Sequence, residues 1–247
     1  MPQIVTVHSY RGGTGKSTIV ANAALLAAGR GFRVAVVDTD IQTPGIHLFF
    51  GPGILPSCKS LADYLVGRCE ITEAVGVTPS GDNYGKLYLV PARSRLEEVN
   101  QILARGYDSG LLWEGFDSLI DALDLDLVFL DTHSGMGNET ITAVAMCSSL
   151  LIITRADCLV AEARENMLLA SRLGKPNTSV IVNMIPSGMA IETVRPLAEE
   201  LYKSPVIAAL PYCQEVAVLG SDGLFAGHYP DHRIVSAYHD VTSVICQ

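Results

Sequence analysis

Charged residues are scarce in this chain, at 17%, and basic ones are the minority among them. Seventeen Lys and Arg face 26 Asp and Glu, for a formal charge of −9. That deficit argues against broad, nonspecific DNA binding through the whole surface, because a polyanion needs a field of cations. Long apolar runs are missing, and none approaches the roughly 20 residues that span a bilayer. The opening MPQIVTVHSY has neither the basic flank nor the apolar core of a secretory leader, so a cytoplasmic protein is expected. No two of the six cysteines, Cys58, Cys69, Cys147, Cys158, Cys213 and Cys246, form a C-x-x-C pair. In a cytosolic chain they are expected to be small buried hydrophobes. Repeats, linkers and low-complexity segments are also lacking. What is present is core material: 49% of the 247 residues are hydrophobic, which excludes disorder and suits one large domain or two small ones.

Short apolar, β-branched runs recur along the chain: IVTV (4–7), VAVV (34–37), LYLV (87–90), LVFL (127–130), LLIIT (150–154), VIV (180–182) and VIAAL (206–210). Unbroken apolar runs fit strands buried on both faces, and most are separated by helix-length stretches. Such alternation implies right-handed crossovers. The expected architecture is a single α/β domain over residues 1–247, with a mostly parallel twisted sheet of about seven or eight strands and helices on both faces. Residues 43–57 and 78–86 read as loops. A helix is expected over 94–105 with Ser94 as its N-cap. Another is expected over 157–173, capped by Asp157 and stopped by Gly174 and Pro176. Near the end, Ile234, Tyr238, Val241 and Ile245 share a helical face, and packing on the protein's own core is the better reading for them.

In open parallel sheets, ligands bind at the carboxyl ends of strands. The first strand runs into HSYRGGTGKST (8–18) and then a helix rich in Ala and Leu. Gly12, Gly13 and Gly15 let the backbone curl so that amides from Gly12 through Thr14 and Gly15 to Ser17 converge on an anion. Lys16 can reach β- and γ-phosphate oxygens, Ser17 can offer its hydroxyl to Mg2+, and Thr18 can hydrogen-bond a phosphate. The helix N-terminus adds partial positive charge. The usual pattern, G-x-x-x-x-G-K-[ST], fails at its first glycine, where Tyr10 stands. Two further strands end on acids: VAVVDTD on Asp38 and Asp40, and LVFLDTHSG on Asp131. A lone Asp after a strand is usually a turn residue. Three of them at strand ends near this loop suit a site that holds metal waters and orients an attacking water.

The motif [KR]-G-G-x-G-K-[ST], matched by RGGTGKS, resembles the deviant Walker A of the MinD/ParA family of P-loop ATPases (SIMIBI class). VAVVDTDIQTPGIHLFFG is similar to that family's switch I and VFLDTHSG to its Walker B and switch II. LADYLVGRCEITEAV, VIVNMI and LPYCQEV are similar to its middle, adenine-reading and closing segments, so the resemblance covers nearly the whole chain. It implies an ATPase that uses ATP and Mg2+ and forms a homodimer on ATP binding. It places Arg11 at the signature cation that reaches the partner's phosphates, Lys16 at the P-loop lysine and Ser17 at the Mg2+ ligand. Asp38 and Asp131 fall in the outer Mg2+ shell, and Asp40 where the attacking water is oriented. Gly135 falls where an N–H meets the γ-phosphate, Asn183 at the adenine edge and Pro211 near the base.

Two positions depart from the family pattern. Arg11 replaces lysine and offers a planar fork in place of an ammonium. Switch II reads DTHSGMG, where His133 and Ser134 make the loop more polar and bear on the hydrolysis rate. The family's branches are separated by further features. The final helix carries only Arg233 as a basic residue, which gives no clear membrane-targeting helix. Arg93, Arg95 and Arg105 are interleaved with Glu97 and Glu98, so DNA binding stays open but unsupported. The branch that binds metal through paired cysteines lacks its motif here, and Pro230 breaks any helix that would join His228 to His232. The leading reading is an ATPase whose dimerisation positions or regulates a cargo, answering to an unknown protein activator. The alternative is a nucleotide-binding scaffold that hardly hydrolyses.

Overall fold

Each of the seven apolar runs becomes a strand because both of its faces are covered. In β2 (Val34–Asp38), Val34 and Val36 enter one core cluster, while Ala35 and Val37 enter another on the opposite side of the sheet. The computed structural model describes residues 2–51, 58–78, 86–92, 102, 108–175 and 177–246. Its other strands are β1 (Gln3–His8), β3 (Gly76–Val77), β4 (Leu87–Val90), β5 (Leu127–Asp131), β6 (Ser149–Arg155), β7 (Thr178–Ile185) and β8 (Val206–Pro211). They form one eight-stranded sheet in the order β3-β4-β2-β5-β1-β6-β7-β8. All pairs are parallel except β3 with β4. The two-residue antiparallel β3 was not foreseen, because two residues carry no periodicity.

On one face lies α1 (Lys16–Gly29), buried without interruption from Ile19 to Ala28. Its alanines allow close approach on all sides. Asn22 ties it down, donating to the Thr18 carbonyl at 2.7 Å and accepting from the Ala226 N–H at 2.7 Å. The other face carries α2 (Leu61–Leu65), α3 (Ser109–Leu123), α4 (Asn138–Met146), α5 (Leu159–Arg172) and α6 (Ile191–Tyr202), whose apolar sides build two further clusters. After β8 come α7 (Gln214–Leu219), α8 (Phe225–His228) and α9 (Arg233–Ile245). As expected, Ile234, Tyr238, Val241 and Ile245 are buried, and α9 packs on α1 and β8.

Several local expectations need correction. Residues 43–57 are not loop throughout: Ile46–Phe50 forms a 3-10 turn that buries Ile46, Phe49 and Phe50, so apolar burial outweighs the flanking Gly and Pro. Asp157 does not cap α5, because its carboxylate is held by Arg155 at 3.0 and 2.8 Å; Cys158 is the N-cap and makes no side-chain cap bond. Gly174, at φ 62°, does end that helix, while Pro176 lies outside the described residues. So does the helix expected over 94–105, apart from Ile102, which is helical and buried. The loop at 78–86 is described only at Thr78 and Lys86. Of the cysteines, Cys147 and Cys213 are buried and the other four only partly so. Among the described residues, no helix is long and apolar enough to cross a membrane.

Tyr238 is among the largest fully buried side chains. Tyr238→Ala should therefore lower unfolding free energy by about 3–5 kcal/mol in urea titration of the nucleotide-free protein. A loss below about 0.5 kcal/mol, the scale of an exposed position, would contradict packing of α9 on the core.

Candidate functional site

Parallel register brings the acidic strand ends together. β1 lies between β5 and β6, with Val7 opposite Asp131, and β2 pairs with β5 so that Asp38 sits opposite Asp131. Connections from these central strands leave in opposite directions, which opens a crevice at their carboxyl ends. The loop 9–15 fills that end of β1 and leads into α1. Gly13 (φ 74°) and Gly15 (φ 84°) adopt left-handed backbone, a conformation costly for other residues. A Cβ at Gly15 would also stand 2.5 Å from Asn183 Nδ2. Asn183 Nδ2 in turn donates to the Thr14 carbonyl at 2.8 Å, locking the loop to the end of β7.

Beneath the loop, the Ser17 hydroxyl donates to Asp131 Oδ2 at 2.6 Å. Asp38 Oδ1 accepts the Asp40 N–H at 3.0 Å. Three buried oxygens there have no hydrogen-bond partner: Thr14 Oγ1, Asp38 Oδ2 and Asp131 Oδ1. Burial pushes Asp131 up to about 6, against the pull of Lys16 and the Ser17 hydrogen bond. Burial, and then the neighbouring Asp131, push Asp38 well above the usual carboxylate range. Two buried carboxylates and a hydroxyl form a hard-oxygen set that suits Mg2+ with its retained waters. The unpartnered oxygens are what such an ion would satisfy.

The remaining expected residues surround this centre, and several are already engaged. Asp40 accepts the Thr43 N–H at 2.8 Å and the Thr43 hydroxyl at 2.9 Å, and His133 Nδ1 lies 3.0 and 3.1 Å from its two oxygens. The His133 departure is thus a direct neighbour of Asp40. Gly135, at φ 88°, gives its N–H to the Ser9 carbonyl at 3.0 Å, so a phosphate contact requires that bond to open. The Ser134 hydroxyl oxygen would lie 3.5 Å from a Cβ at Gly12. Arg11 is paired with Glu162 of α5. Its Nε lies 3.4 Å from Glu162 Oε1, with the Arg side chain 60% exposed and the Glu side chain 0% exposed. Beside the loop, Gly15, Thr18, Asn183 and Pro211 line a cavity of about 150 Å3, together with Met184 and Tyr212.

Sequence reasoning missed four neighbours of the site. Glu162 reads as an ordinary polar helix residue, yet it is buried and accepts from Thr154 Oγ1 at 3.2 Å. His8 ends β1 fully buried, with neither ring nitrogen partnered. Burial and the charge of Lys16 push it down to about 3, so it stays neutral. Met184 and Tyr212 enter through an irregularity where β7 and β8 shift register and Met184 takes φ 54°. No spacing in the sequence signals either residue.

The sequence profile of the CobQ/CobB/MinD/ParA nucleotide binding domain matches residues 5–224. An uncharacterized ATP-binding protein of Methanocaldococcus jannaschii is 26% identical over 245 residues, 97% of this chain and 86% of that protein. The cell division ATPase MinD of Pyrococcus furiosus superposes with a TM-score of 0.82 at 22% identity, covering 99% of this chain and 98% of that one. The septum site-determining protein MinD of Pyrococcus horikoshii, solved with Mg-ADP, superposes at 0.81 and 21% identity, covering 99% and 96%. At these identities the superpositions establish the shared fold.

The raised pKa of Asp131 has a stability consequence. Its folded value of about 6 exceeds the ordinary 3.8, so the folded state holds the extra proton between them. The associated stability is complete below about pH 4 and is lost as pH rises through about 6, by at most about 3 kcal/mol. Asp131→Asn should remove that slope. Urea titrations without nucleotide or Mg2+ should find the variant more stable than the parent near pH 7.5 and the gap closing towards pH 4. A parent more stable than the variant at pH 7.5 would refute the electrostatic account.

Proposed function

Because this chain belongs to the CobQ/CobB/MinD/ParA nucleotide-binding family, we propose that it is a switch ATPase that binds ATP with Mg2+, pairs with a second copy, and hydrolyses the γ-phosphate slowly. The observation that carries this reading is the Ser17–Asp131 contact at 2.6 Å, set beside Asp38 and backed by Lys16 at the carboxyl ends of β1, β2 and β5. Ser17 would hold Mg2+ directly, with Asp38 and Asp131 holding its waters; the ion neutralises charge on the phosphates. The loop amides from Gly12 to Ser17 and Thr18 would cradle the phosphates, with Lys16 on the β- and γ-oxygens. Asn183 and Pro211 would take the adenine from the adjoining cavity.

Hydrolysis converts ATP and water to ADP, phosphate and a proton. Asp40 would orient the attacking water once His133 and Thr43 release its carboxylate. The Gly135 N–H would turn from Ser9 to the γ-phosphate and report its presence, as switch loops do. In the single chain Arg11 is held by Glu162; in the homodimer it would leave that partner for the phosphates of the second copy, stabilising the charge that develops there. Exposed Met136 and Ile141 near switch II, and Val160 on α5, give the same end of the molecule apolar surface for such closure. What is positioned or regulated would be set by a protein activator or cargo that docks on one nucleotide state.

Lys16→Ala should weaken Mg-ATP binding by about 10–100-fold, the worth of a charged hydrogen bond, in calorimetry. Asp40→Ala should bind ATP and accumulate as a dimer by light scattering. Arg11→Ala should bind ATP yet remain monomeric, and a dimer of unchanged affinity would eliminate the trans role of Arg11. The engagement of Asp40 by both Thr43 and His133 favours a second reading, a nucleotide-binding scaffold with little turnover. Phosphate release assayed alone and with candidate activators, DNA and liposomes separates the two: tight ATP binding with no turnover in any condition selects the scaffold.

A further inference from the structure

Cys213, Glu215 and His232 are separated by up to 19 positions, yet their ligand atoms all lie within 4.8 Å of one another. Among the described residues they are the one group of three such donors this close. Cys213 is the N-cap of α7, Glu215 sits in its first turn, and His232 is the N-cap of α9. From this geometry we infer a second metal site, distinct from the Mg2+ position and independent of the nucleotide reading, that takes a borderline-soft divalent cation of the zinc class.

The donor set selects the ion. One sulfur, one imidazole nitrogen and one carboxylate oxygen suit Zn2+, whereas Mg2+ and Ca2+ seek oxygens alone. Three protein ligands leave a fourth tetrahedral position, and here it would open onto a cavity of about 520 Å3 that Glu215 and His232 line with Asp222 and Tyr229. The donors are also partly oriented. The buried Cys213 thiol donates to Glu215 Oε2 at 3.2 Å. The His232 ring stands edge-on to buried Phe225 at 5.2 Å. Its Nδ1 accepts a hydrogen bond from the Ile234 N–H at 3.3 Å, which helps to fix the ring.

Binding replaces one proton. The thiol proton shared with Glu215 leaves to solvent, a sulfur–metal bond forms, and thiolate plus carboxylate neutralise the dication. By sequence spacing alone His232 has no metal-binding partner in His228, because Pro230 breaks any helix that would join them. The fold supplies Cys213 and Glu215 in its place. Cys213 also lines the cavity of Asn183 and Pro211, so a bound ion would tie the start of α7 to the start of α9 along that wall.

Co2+ is a spectroscopic probe for this site. Reduced, nucleotide-free full-length protein would be titrated with Co2+ in excess Mg2+, which keeps hard-oxygen sites filled. The expected result is one Co2+ per chain with a near-ultraviolet thiolate-to-metal charge-transfer band and tetrahedral visible bands, all displaced by Zn2+. Cys213→Ser should lose the charge-transfer band. Glu215→Gln, at an exposed position that leaves folding intact, and His232→Ala should each require more Co2+ for half-saturation. Absence of the band in the parent, its persistence in Cys213→Ser, or parental affinity in both Glu215→Gln and His232→Ala would overturn the assignment.

Discussion

Two carboxylates buried side by side, Asp38 and Asp131, with one hydroxyl and one ammonium near them, set the terms for this end of the molecule. Nothing in a hydrophobic core stabilises such a pair; left ionised, it opposes folding, and left protonated, it wastes the hydrogen-bonding capacity of its oxygens. The surrounding fold tolerates it because the parallel sheet is rigid and covered on both faces. Such a pair is the arrangement that the proposed Mg2+ would neutralise. In this sense the site is held in deficit: two buried carboxylate oxygens, Asp38 Oδ2 and Asp131 Oδ1, have no hydrogen-bond partner.

Around that deficit the loops are latched by modest bonds. Asn183 holds Thr14, Ser9 holds Gly135, His133 and Thr43 hold Asp40, and Glu162 holds Arg11. The neutral bonds, Asn183 to Thr14 and Gly135 to Ser9, net about 0.5–1.5 kcal/mol each and those to a charged group about 1.5–3 kcal/mol, small beside the binding free energy of a tightly held nucleotide. A polyphosphate can therefore trade these contacts for its own. The latches belong to different elements: the ends of β7 and β1, the turns after β2 and β5, and α5. Replacing them together is a way for one ligand to move surfaces that do not touch each other.

The cavity beside Asn183 and Pro211 and the Cys213–Glu215–His232 cluster are both products of the region after β8. There the chain leaves the sheet at Pro211, turns into α7, and returns through α8 to α9. The register shift between β7 and β8 and the left-handed Met184 open the wall between strand end and helix. Burial of α9 against α1 fixes the other wall. One packing contact, helix α9 on helix α1, thereby connects the helix that follows the glycine loop to the wall of the cavity beside Asn183 and Pro211.

Much of this was legible in the chain itself. Unbroken runs such as VAVV and LLIIT report strands covered on both faces, because burial on two sides leaves no polar alternation. RGGTGKST reports a tight turn between β1 and α1, because its curl needs left-handed backbone that glycine adopts freely, as Gly13 and Gly15 do. Asp38, Asp40 and Asp131 announce themselves by standing at the ends of those runs. Tertiary structure alone decided which acids share a wall, since strand order β2-β5-β1 is not written in any local spacing. It also decided that Arg11 faces Glu162, that His133 reaches Asp40, and that His232 meets Cys213. Each of these is a contact between segments distant in sequence. Local pattern encodes which way a side chain faces along its own element, whereas the neighbour it meets depends on how separate elements pack.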